Sequence, residues 1–218
     1  MGQDDGMRVL LVGDSTVTDD AGWGAGFRAR MAPGAECLNH AASGRSSKSY
    51  RDEGLWKTAL TTGADYVLIQ FGHNDQPGKG PERETDPDTG FAANLARYVA
   101  EARAAAMQPV LVTSLTRRQF DAAGERLRDT LGPYAAATRR VATDVGVPLI
   151  DLHPASTHLC ETLGPLGCDL ISPREPDGSV DTTHLNATGG LRIGGLVADL
   201  ARAAVPGLRP FLTPAPGS

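Results

Sequence analysis

The stretch MRVLLVGDS, residues 7–15, sets the fold class of this 218-residue chain. Residues 7–12 form a short apolar run that stops at Gly13, which is the pattern of a β-strand buried on both faces. Such strands occur in parallel sheets that helices cover on each side. We therefore expect strands and helices to alternate along the chain, with Asp14 and Ser15 at the carboxyl end of the first strand.

The rest of the chain continues this alternation. Further strands are predicted at residues 64–71, 109–115 and 147–152, with a weaker one at 37–40. Helices are predicted at 88–107, 134–145 and 187–204. Parallel neighbours need crossover connections, so the pattern predicts a single-domain α/β fold with three layers, in which helices cover both faces of a mostly parallel sheet of about five strands. Ligands in such sheets bind beyond the carboxyl ends of the strands.

Two segments outside these elements stand out by composition. Residues 72–90, GHNDQPGKGPERETDPDTG, are too long and too rich in Gly and Pro for an ordinary connection, so we expect a loop that contributes to a site. Residues 206–218 carry four prolines and are expected to wrap the surface or stay disordered, so the predicted domain spans residues 1–205. The last helix contains Gly189, Gly190, Gly194 and Gly195, which are expected to permit close packing on the sheet.

Composition narrows the classes of function. With 40% hydrophobic and 22% charged residues, the chain has the makeup of an ordinary globular protein, and its formal net charge of −5 offers no basic face for nucleic acid. The apolar run at 7–12 is short and follows acidic residues, so it is interpreted as a strand rather than a signal peptide, and we expect no membrane span. No motif calls for a metal or a cofactor, and the oligomeric state stays open.

The chain has three cysteines, Cys37, Cys160 and Cys168. Their spacing fits no metal site, and an odd number does not form a disulfide framework, although Cys160 and Cys168 are close enough in sequence to pair. We expect reduced thiols in a cytoplasmic protein, or a secreted protein if a leader has been removed.

Ser15 is the first candidate for chemistry, because its hydroxyl follows the first strand. Ser and Asp are also preferred helix N-caps, so Asp14 or Ser15 could instead begin the next helix. A serine is a weak nucleophile until a histidine takes its proton, and that histidine needs an orienting carboxylate. The DTTH segment ahead of the last helix supplies both, as Asp181 and His184, although such a segment can equally be an N-cap with a surface histidine, or a metal pair.

Two further positions at the same edge of the sheet could bind an oxyanion. Asn74 lies in GHND, after the strand at 64–71, and its amide can donate a hydrogen bond there; alternatively, Asn74 and Asp75 form an Asx turn. Gly44 lies in AASGRSS, after the weak strand. A glycine can adopt a positive φ and point its N–H at a ligand, or it can be an ordinary turn residue.

The order of these motifs resembles the SGNH hydrolase superfamily, also called GDSL-like hydrolases, over residues 8–205. GDSTV, FGHNDQ, TDPDTGF, LVTSLTRR and DTTHLN further resemble its rhamnogalacturonan acetylesterase-like branch, carbohydrate esterase family 12. The resemblance implies a flavodoxin-like SGNH fold with Ser15 as nucleophile, His184 as general base and acid, and Asp181 as its orienting carboxylate. The Ser15 and Gly44 N–H groups and the Asn74 amide would form the oxyanion hole.

The same resemblance implies a serine esterase that removes short acyl groups, above all acetyl, from a carbohydrate such as rhamnogalacturonan or another acetylated poly- or oligosaccharide. Its partner is expected to be a small-molecule or carbohydrate ester substrate. A general short-chain carboxylesterase or lipase-like GDSL hydrolase is the alternative. Only 5% of the residues are aromatic and there is no long apolar lid, which argues against a long-chain lipase.

Several charged residues near the predicted edge are candidates for substrate binding. We hypothesise that one or more of Arg45, Arg117 and Arg118 contact an anionic sugar such as galacturonate, because guanidinium groups match carboxylates. They could instead be solvated or paired with Asp75 or Asp86. Asp14 and His73 are further candidates, with His73 interpreted mainly as support for its loop. Trp23 and Trp56 fit either a sugar cleft or the core.

Two other classes of function remain open. A metal-dependent phosphoesterase would use the edge formed by Asp14, His73, Asn74, Asp181 and His184, although these offer no dense set of ligand pairs. A carbohydrate-binding domain without catalysis could use the same fold, but it would not need every triad and oxyanion candidate.

Overall fold

The structure, a computed structural model, describes residues 6–214. Its centre is a sheet of five strands that run parallel to their neighbours. The strands are β1 (Arg8–Gly13), β2 (Glu36–Asn39), β3 (Tyr66–Gln70), β4 (Gln108–Val112) and β5 (Leu149–Ile150). Their order across the sheet is β2-β1-β3-β4-β5. The predicted parallel sheet is confirmed, although the last three strands are shorter than the apolar runs that indicated them.

Helices fill the connections between strands and follow the last one. They are α1 (Gly24–Arg28), α2 (Ser49–Asp52), α3 (Leu55–Ala59), α4 (Ala92–Ala104), α5 (Gly132–Val145), α6 (Leu152–Leu170) and α7 (Ala187–Ala204). A π-helical turn, Pro87–Phe91, leads into α4, and the Asp86 carboxylate caps it by accepting the N–H groups of Asp88 and Thr89. Among residues 6–214, none of the helices combines the length and apolar character needed to cross a bilayer.

The sheet separates two apolar cores, which confirms the three-layer architecture. Successive side chains of a strand point to opposite faces, so Val9 and Leu11 of β1 enter one core while Leu10 and Val12 enter the other. The first core includes buried side chains of α1 and α7. The second includes buried side chains of α2 to α5, with aromatic rings among them.

The helix α6 is absent from the predicted elements because its pattern breaks in the middle. Gly164 has φ 64° and ψ 179°, and Pro165 follows it, so two helical halves meet at a kink. The helices α1, α2 and α3 were missed for a different reason. Each has only four or five residues, too few for helical periodicity to show.

The Pro-rich tail packs on the domain as far as residue 214. Pro206–Phe211 forms a 3₁₀-helix, and Leu208 and Leu212 are buried in the core that includes α1 and α7. Leu212 also forms an antiparallel bridge with Met31. The folded unit therefore extends past the predicted boundary at 205, and residues 215–218 of the predicted tail lie outside the described residues.

The helix α7 contacts α1 with almost no space between the two backbones. A Cβ atom on Gly194 would lie 2.3 Å from Phe27 N, and one on Gly26 would lie 2.1 Å from Gly190 O. No side chain fits at either place, so glycine alone permits the contact. Of these glycines, Gly194 packs on α1, Gly190 on the segment before α1 and Gly189 on Ile171. The atoms nearest to them lie outside the strands, so the prediction that the glycines pack on the sheet is corrected.

The strand order also fixes where a ligand can bind. β1 lies between β2 and β3, so the chain moves outward in opposite directions from β1, and the carboxyl ends of β1 and β3 flank the topological switch point. The segments that follow these strands carry Ser15 and Asn74, and the one after β2 carries Gly44.

Candidate active site

Ser15 lies in a tight turn directly after β1. Asp14 Oδ1 accepts hydrogen bonds from the Thr16 N–H at 2.9 Å and the Thr16 hydroxyl at 2.7 Å. Gln70, the last residue of β3, donates from Nε2 to Thr16 Oγ1 at 2.7 Å. Because α1 begins only at Gly24, Ser15 is not the N-cap of a helix. The turn presents the Ser15 hydroxyl at the edge of the sheet.

Ser15, His184 and Asp181 form a continuous chain of hydrogen bonds. His184 Nε2 lies 2.8 Å from Ser15 Oγ, and His184 Nδ1 lies 2.6 Å from Asp181 Oδ2. Asp181 Oδ1 accepts the N–H groups of Thr183 at 2.7 Å and of His184 at 3.0 Å. The structure thus brings together the three residues predicted to carry the chemistry, with the imidazole between the carboxylate and the hydroxyl.

The hydrogen bonds at Asp181 also set its charge. Burial alone would raise the pKa of Asp181, but the N–H groups of His184 and Thr183 and the His184 ring lower it overall. An ionised Asp181 accepts the Nδ1 proton of His184, which leaves Nε2 free to accept a proton from Ser15. In this arrangement the histidine has the tautomer that a general base requires.

Gly44 and Asn74 line the same cavity as Ser15 and His184, and its volume is about 350 Å³. Gly44 has the positive φ that its predicted role needs, 79°. Asn74 donates one amide hydrogen to the Arg45 carbonyl at 3.1 Å, and an amide has two, so the second can serve a ligand. Gly44 and Asn74, two of the three predicted oxyanion donors, therefore line the same cavity as Ser15.

Two other residues line this cavity and were missed by the sequence analysis, Ala21 and Ser43. Ser43 is the neighbour of Gly44 in the chain, and that adjacency was the available indication. Ala21 lies in the segment between β1 and α1, where no motif reveals the path of the backbone.

Asp75 connects the loop after β3 to the loop after β2 through hydrogen bonds. Its carboxylate accepts the Ser47 N–H, the Ser47 hydroxyl at 2.5 Å and the Thr85 hydroxyl at 2.7 Å. Burial raises the pKa of Asp75 to about 6, even though the bonds from Ser47 and Thr85 act to lower it. Asp75 therefore forms a buried link between the segments that carry Asn74 and Gly44, and it makes neither the Asx turn nor the arginine pair considered for it.

Asp14 and His73 are corrected as candidates for substrate contact, because their exposed fractions are 0% and 2%. Asp14 Oδ2 and His73 Nδ1 are 3.5 Å apart, too far for a good hydrogen bond. Burial would raise the pKa of Asp14, but His73 and Thr16 lower it overall, whereas burial lowers the pKa of His73. The pair is buried and lies next in sequence to Ser15 and Asn74, which fits the interpretation of His73 as support for its loop.

Arg118 is also corrected as a candidate for contact with an anionic sugar. Its side chain is buried, and its guanidinium donates to Ser172 Oγ at 2.7 Å and to backbone carbonyls of the DTTH segment. Burial lowers the pKa of Arg118 from its usual value. The arginine faces the back of the DTTH segment and not the cavity.

Arg117 connects the two loops that flank the cavity. Its guanidinium donates to Thr183 Oγ1 at 2.6 Å, to Gln76 Oε1 at 2.8 Å and to the His73 carbonyl at 3.3 Å. Arg45 is more exposed, and its guanidinium pairs with Glu53 at 2.8 Å. The structure thus gives both arginines protein partners, and their contact with a substrate stays a prediction.

The remaining candidates lie in the core. Trp23 and Trp56 are buried, with Trp23 Nε1 bonded to Gln70 and Trp56 Nε1 bonded to Glu101, so neither lines a sugar cleft. The three cysteines are free and buried. Within residues 6–214, no three His, Cys, Asp or Glu side chains gather in the arrangement of a metal site.

Comparisons with known proteins extend these observations. The model of the GDSL-like Lipase/Acylhydrolase family matches residues 11–190. Rhamnogalacturonan acetylesterase RhgT from Bacillus subtilis is 37% identical, and the alignment covers 88% of each chain. The solved structure of protein YxiM from Bacillus subtilis has a TM-score of 0.77 at 22% identity, over 91% of this chain and 56% of that one.

A further solved structure is a catalytic mutant of an acetylxylan esterase from Geobacillus stearothermophilus. It has a TM-score of 0.67 at 16% identity, over 90% of this chain and 94% of its own. Identities this low show a shared fold, which is that of the SGNH hydrolases, while the family model and the 37% identical relative show descent. The chain therefore belongs to the GDSL-like lipase/acylhydrolase family and is a carboxylic ester hydrolase.

Proposed function

We propose that the protein is an acetylesterase that removes acetyl groups from a carbohydrate, with Ser15, His184 and Asp181 as its catalytic triad. The observation that carries this proposal is the unbroken chain of hydrogen bonds from Asp181 Oδ2 through both ring nitrogens of His184 to Ser15 Oγ, beside an open cavity. A nucleophile, a base and an orienting carboxylate at hydrogen-bond distance are what acyl transfer requires.

The proposed reaction follows from these distances. Ser15 Oγ attacks the ester carbonyl while its proton moves to His184 Nε2, and negative charge forms on the carbonyl oxygen. The N–H groups of Ser15 and Gly44 and the Asn74 amide stabilise this charge. His184 then protonates the departing alcohol, which leaves an acyl group on Ser15. Water, deprotonated by His184, attacks that acyl group, and the proton returns to Ser15 as the carboxylic acid departs.

The walls of the cavity support a short acyl group. Besides the candidate catalytic groups, they include the small side chains of Ala21 and Ser43, and no long apolar side chain from residues 6–214 lines the space. Acetyl as the acyl group, and a carbohydrate as the alcohol, are supported by the name of the 37% identical relative, rhamnogalacturonan acetylesterase.

The acetylxylan esterase with the same fold supports the triad. Catalytic mutants of that enzyme replace a serine, an aspartate and a histidine by alanine, the three residue types that meet in this site. In this chain the same three types are joined by bonds of 2.8 and 2.6 Å.

Replacement of Asn74 by alanine should lower kcat by about 10²- to 10³-fold, which is the usual loss for one oxyanion-hole donor. The Asn74 amide would no longer stabilise the developing charge, whereas the substrate in its ground state interacts with it only weakly, so KM should change much less. Steady-state kinetics on p-nitrophenyl acetate measure both constants. Asn94→Ala removes an amide that bonds to Ser47 Oγ instead and serves as the control. A kcat of Asn74→Ala equal to that of the wild type would remove Asn74 from the oxyanion hole.

The acyl preference and the alcohol can be tested together. Along a series of p-nitrophenyl esters, kcat/KM should fall by about tenfold or more from acetate to octanoate, because each methylene that the pocket rejects costs roughly 1–3 kcal/mol. Acetate release should also be seen from acetylated rhamnogalacturonan or another acetylated polysaccharide, with Ser15→Ala as the blank. A preference for octanoate would favour the general carboxylesterase, and activity on phosphate esters that a chelator abolishes would favour the phosphoesterase.

A further inference from the structure

The DTTH segment, residues 181–184, has an unusual set of backbone partners. All four of its carbonyl oxygens accept hydrogen bonds from one residue, Arg118. The Arg118 backbone N–H donates to Thr182 O at 2.8 Å. Its guanidinium donates to Asp181 O at 3.2 Å, to Thr183 O at 3.5 Å and to His184 O. A single residue, through its backbone N–H and its guanidinium, therefore holds one side of the segment, and the other side carries His184.

The segment needs such support because it has no regular secondary structure of its own. Three of its four N–H groups have partners on the other side: those of Thr183 and His184 donate to Asp181 Oδ1, and that of Asp181 donates to Pro173 O at 3.0 Å. Residues 181–184 are half-buried, and backbone groups shielded from water require partners; in this segment Arg118 supplies the donors to the carbonyl oxygens. Loss of the guanidinium would leave three carbonyl oxygens without those donors.

Arg118 is itself fixed in place. Its Nε donates to Ser172 Oγ at 2.7 Å, and that hydroxyl donates to Cys168 O, near the end of α6, at 2.8 Å. The carboxylate of Asp181 is paired with His184, so Asp181 offers Arg118 only its carbonyl oxygen. A buried cation held mainly by carbonyl dipoles is expensive to desolvate and adds little to stability. Its presence here is better explained by the geometry that it imposes.

We propose that Arg118 is a positioning residue for the acid–base half of the site: through the carbonyls of residues 181–184 it holds His184 Nε2 at hydrogen-bond distance from Ser15 Oγ. Arg118 touches neither substrate nor the reacting atoms. This inference rests on the proposed triad. A displacement of about 1 Å at a reacting centre costs on the order of 10²-fold in rate. Loss of the hydrogen bonds from Arg118 to the carbonyl oxygens of residues 181–184 should therefore have a measurable effect on catalysis.

Arg118→Met tests this, because methionine fills much of the buried volume without a donor. We expect kcat on p-nitrophenyl acetate to fall by about 10²-fold with little change in KM. In Arg118→Ala, which leaves the space of the guanidinium group empty, millimolar guanidinium should restore part of the activity and methylammonium should not, since only the planar fork can donate to several carbonyls at once. Arg118→Lys keeps the positive charge but loses the planar guanidinium, so its kcat should also be lower than that of the wild type. It is the variant to use if Arg118→Met does not fold.

Arg30→Met is the matched control. Arg30 is also a largely buried arginine that clamps a backbone carbonyl, since it donates to Thr213 O at 2.9 and 2.6 Å, but it lies outside the site. Its loss should lower Tm without changing kcat. The proposal is overturned if Arg118→Met lowers Tm as Arg30→Met does and keeps wild-type kcat, or if methylammonium rescues as well as guanidinium.

Proton NMR of the hydrogen bond between His184 and Asp181 requires no ester substrate, so it tests this inference separately from the proposed function. The short bond between His184 Nδ1 and Asp181 should give a downfield proton resonance, which His184→Ala identifies. We expect Arg118→Met to broaden or abolish that resonance and Arg30→Met to leave it intact. If the wild-type protein shows no esterase activity but its resonance still depends on Arg118, the proposed function is refuted and the positioning role is retained. If the resonance is unchanged in Arg118→Met, the positioning role is refuted.

Discussion

The Ser15→Ala variant is expected to lose about 10⁵- to 10⁶-fold in kcat on p-nitrophenyl acetate, because removal of the nucleophile of a triad eliminates the acyl-enzyme route. The remaining rate would come from the oxyanion donors and from binding alone. The folded structure should tolerate the change, since Ser15 Oγ loses one hydrogen bond, to His184, and such a bond contributes about 1 kcal/mol.

Two measurements make this expectation specific to Ser15. A serine-directed organophosphorus reagent should add its mass to the wild-type protein and not to Ser15→Ala. Ser179→Ala serves as the control, because that hydroxyl is exposed and bonds to the Asp177 carboxylate in its own turn. If Ser15→Ala retained more than about a hundredth of the wild-type kcat, another group would have to be the nucleophile.

The second large effect is expected for Asp181→Asn, with kcat lower by roughly 10⁴-fold. The carboxylate accepts the Nδ1 proton of His184, whereas an asparagine amide placed there would donate to Nδ1 and move the proton to Nε2. A protonated Nε2 cannot accept the proton of Ser15. The magnitude is the one known for the same change in serine proteases, whose triad has equivalent bonds.

The pH dependence of stability gives an independent check on Asp181. Because its pKa is lower in the folded state, the ionised carboxylate contributes stability above its unfolded pKa, and that contribution is lost as the pH falls through the folded value. The gap in unfolding free energy between wild type and Asp181→Asn should therefore be widest near neutral pH and shrink in acid. Asp177→Asn, at an exposed turn, is the control for kcat. Near-wild-type kcat for Asp181→Asn would show that His184 is oriented by another group.

Much of the fold and of the candidate site was predictable because the relevant information is local. Each buried strand is a short apolar run, and each site segment follows the strand or precedes the helix that places it. Parallel strands end at a common edge, so the order of GDS, the glycine of AASGRSS, GHND and DTTH along the chain was enough to bring Ser15, Asn74 and His184 together.

The errors arose where the outcome depends on contacts between distant segments. Asp14 and His73 belong to motifs of the edge, yet packing buries both, and no pattern in the sequence reports that. Arg117 and Arg118 are adjacent after β4, but the fold decides which way each guanidinium points. The kink at Gly164 interrupts the helical pattern of α6. The helix that supports Arg118 through Ser172 and Cys168 could therefore not be inferred from the sequence.

The close contact between α1 and α7 joins the two ends of the domain. Ser15 lies ahead of α1 and His184 lies ahead of α7, and the two residues are 169 positions apart in the chain. A chain that ended at α6 would keep the serine hydroxyl and lack His184. The proposed triad is therefore assembled from opposite ends of the sequence, and the backbone contact at Gly26 and Gly190 supports the packing that brings them together.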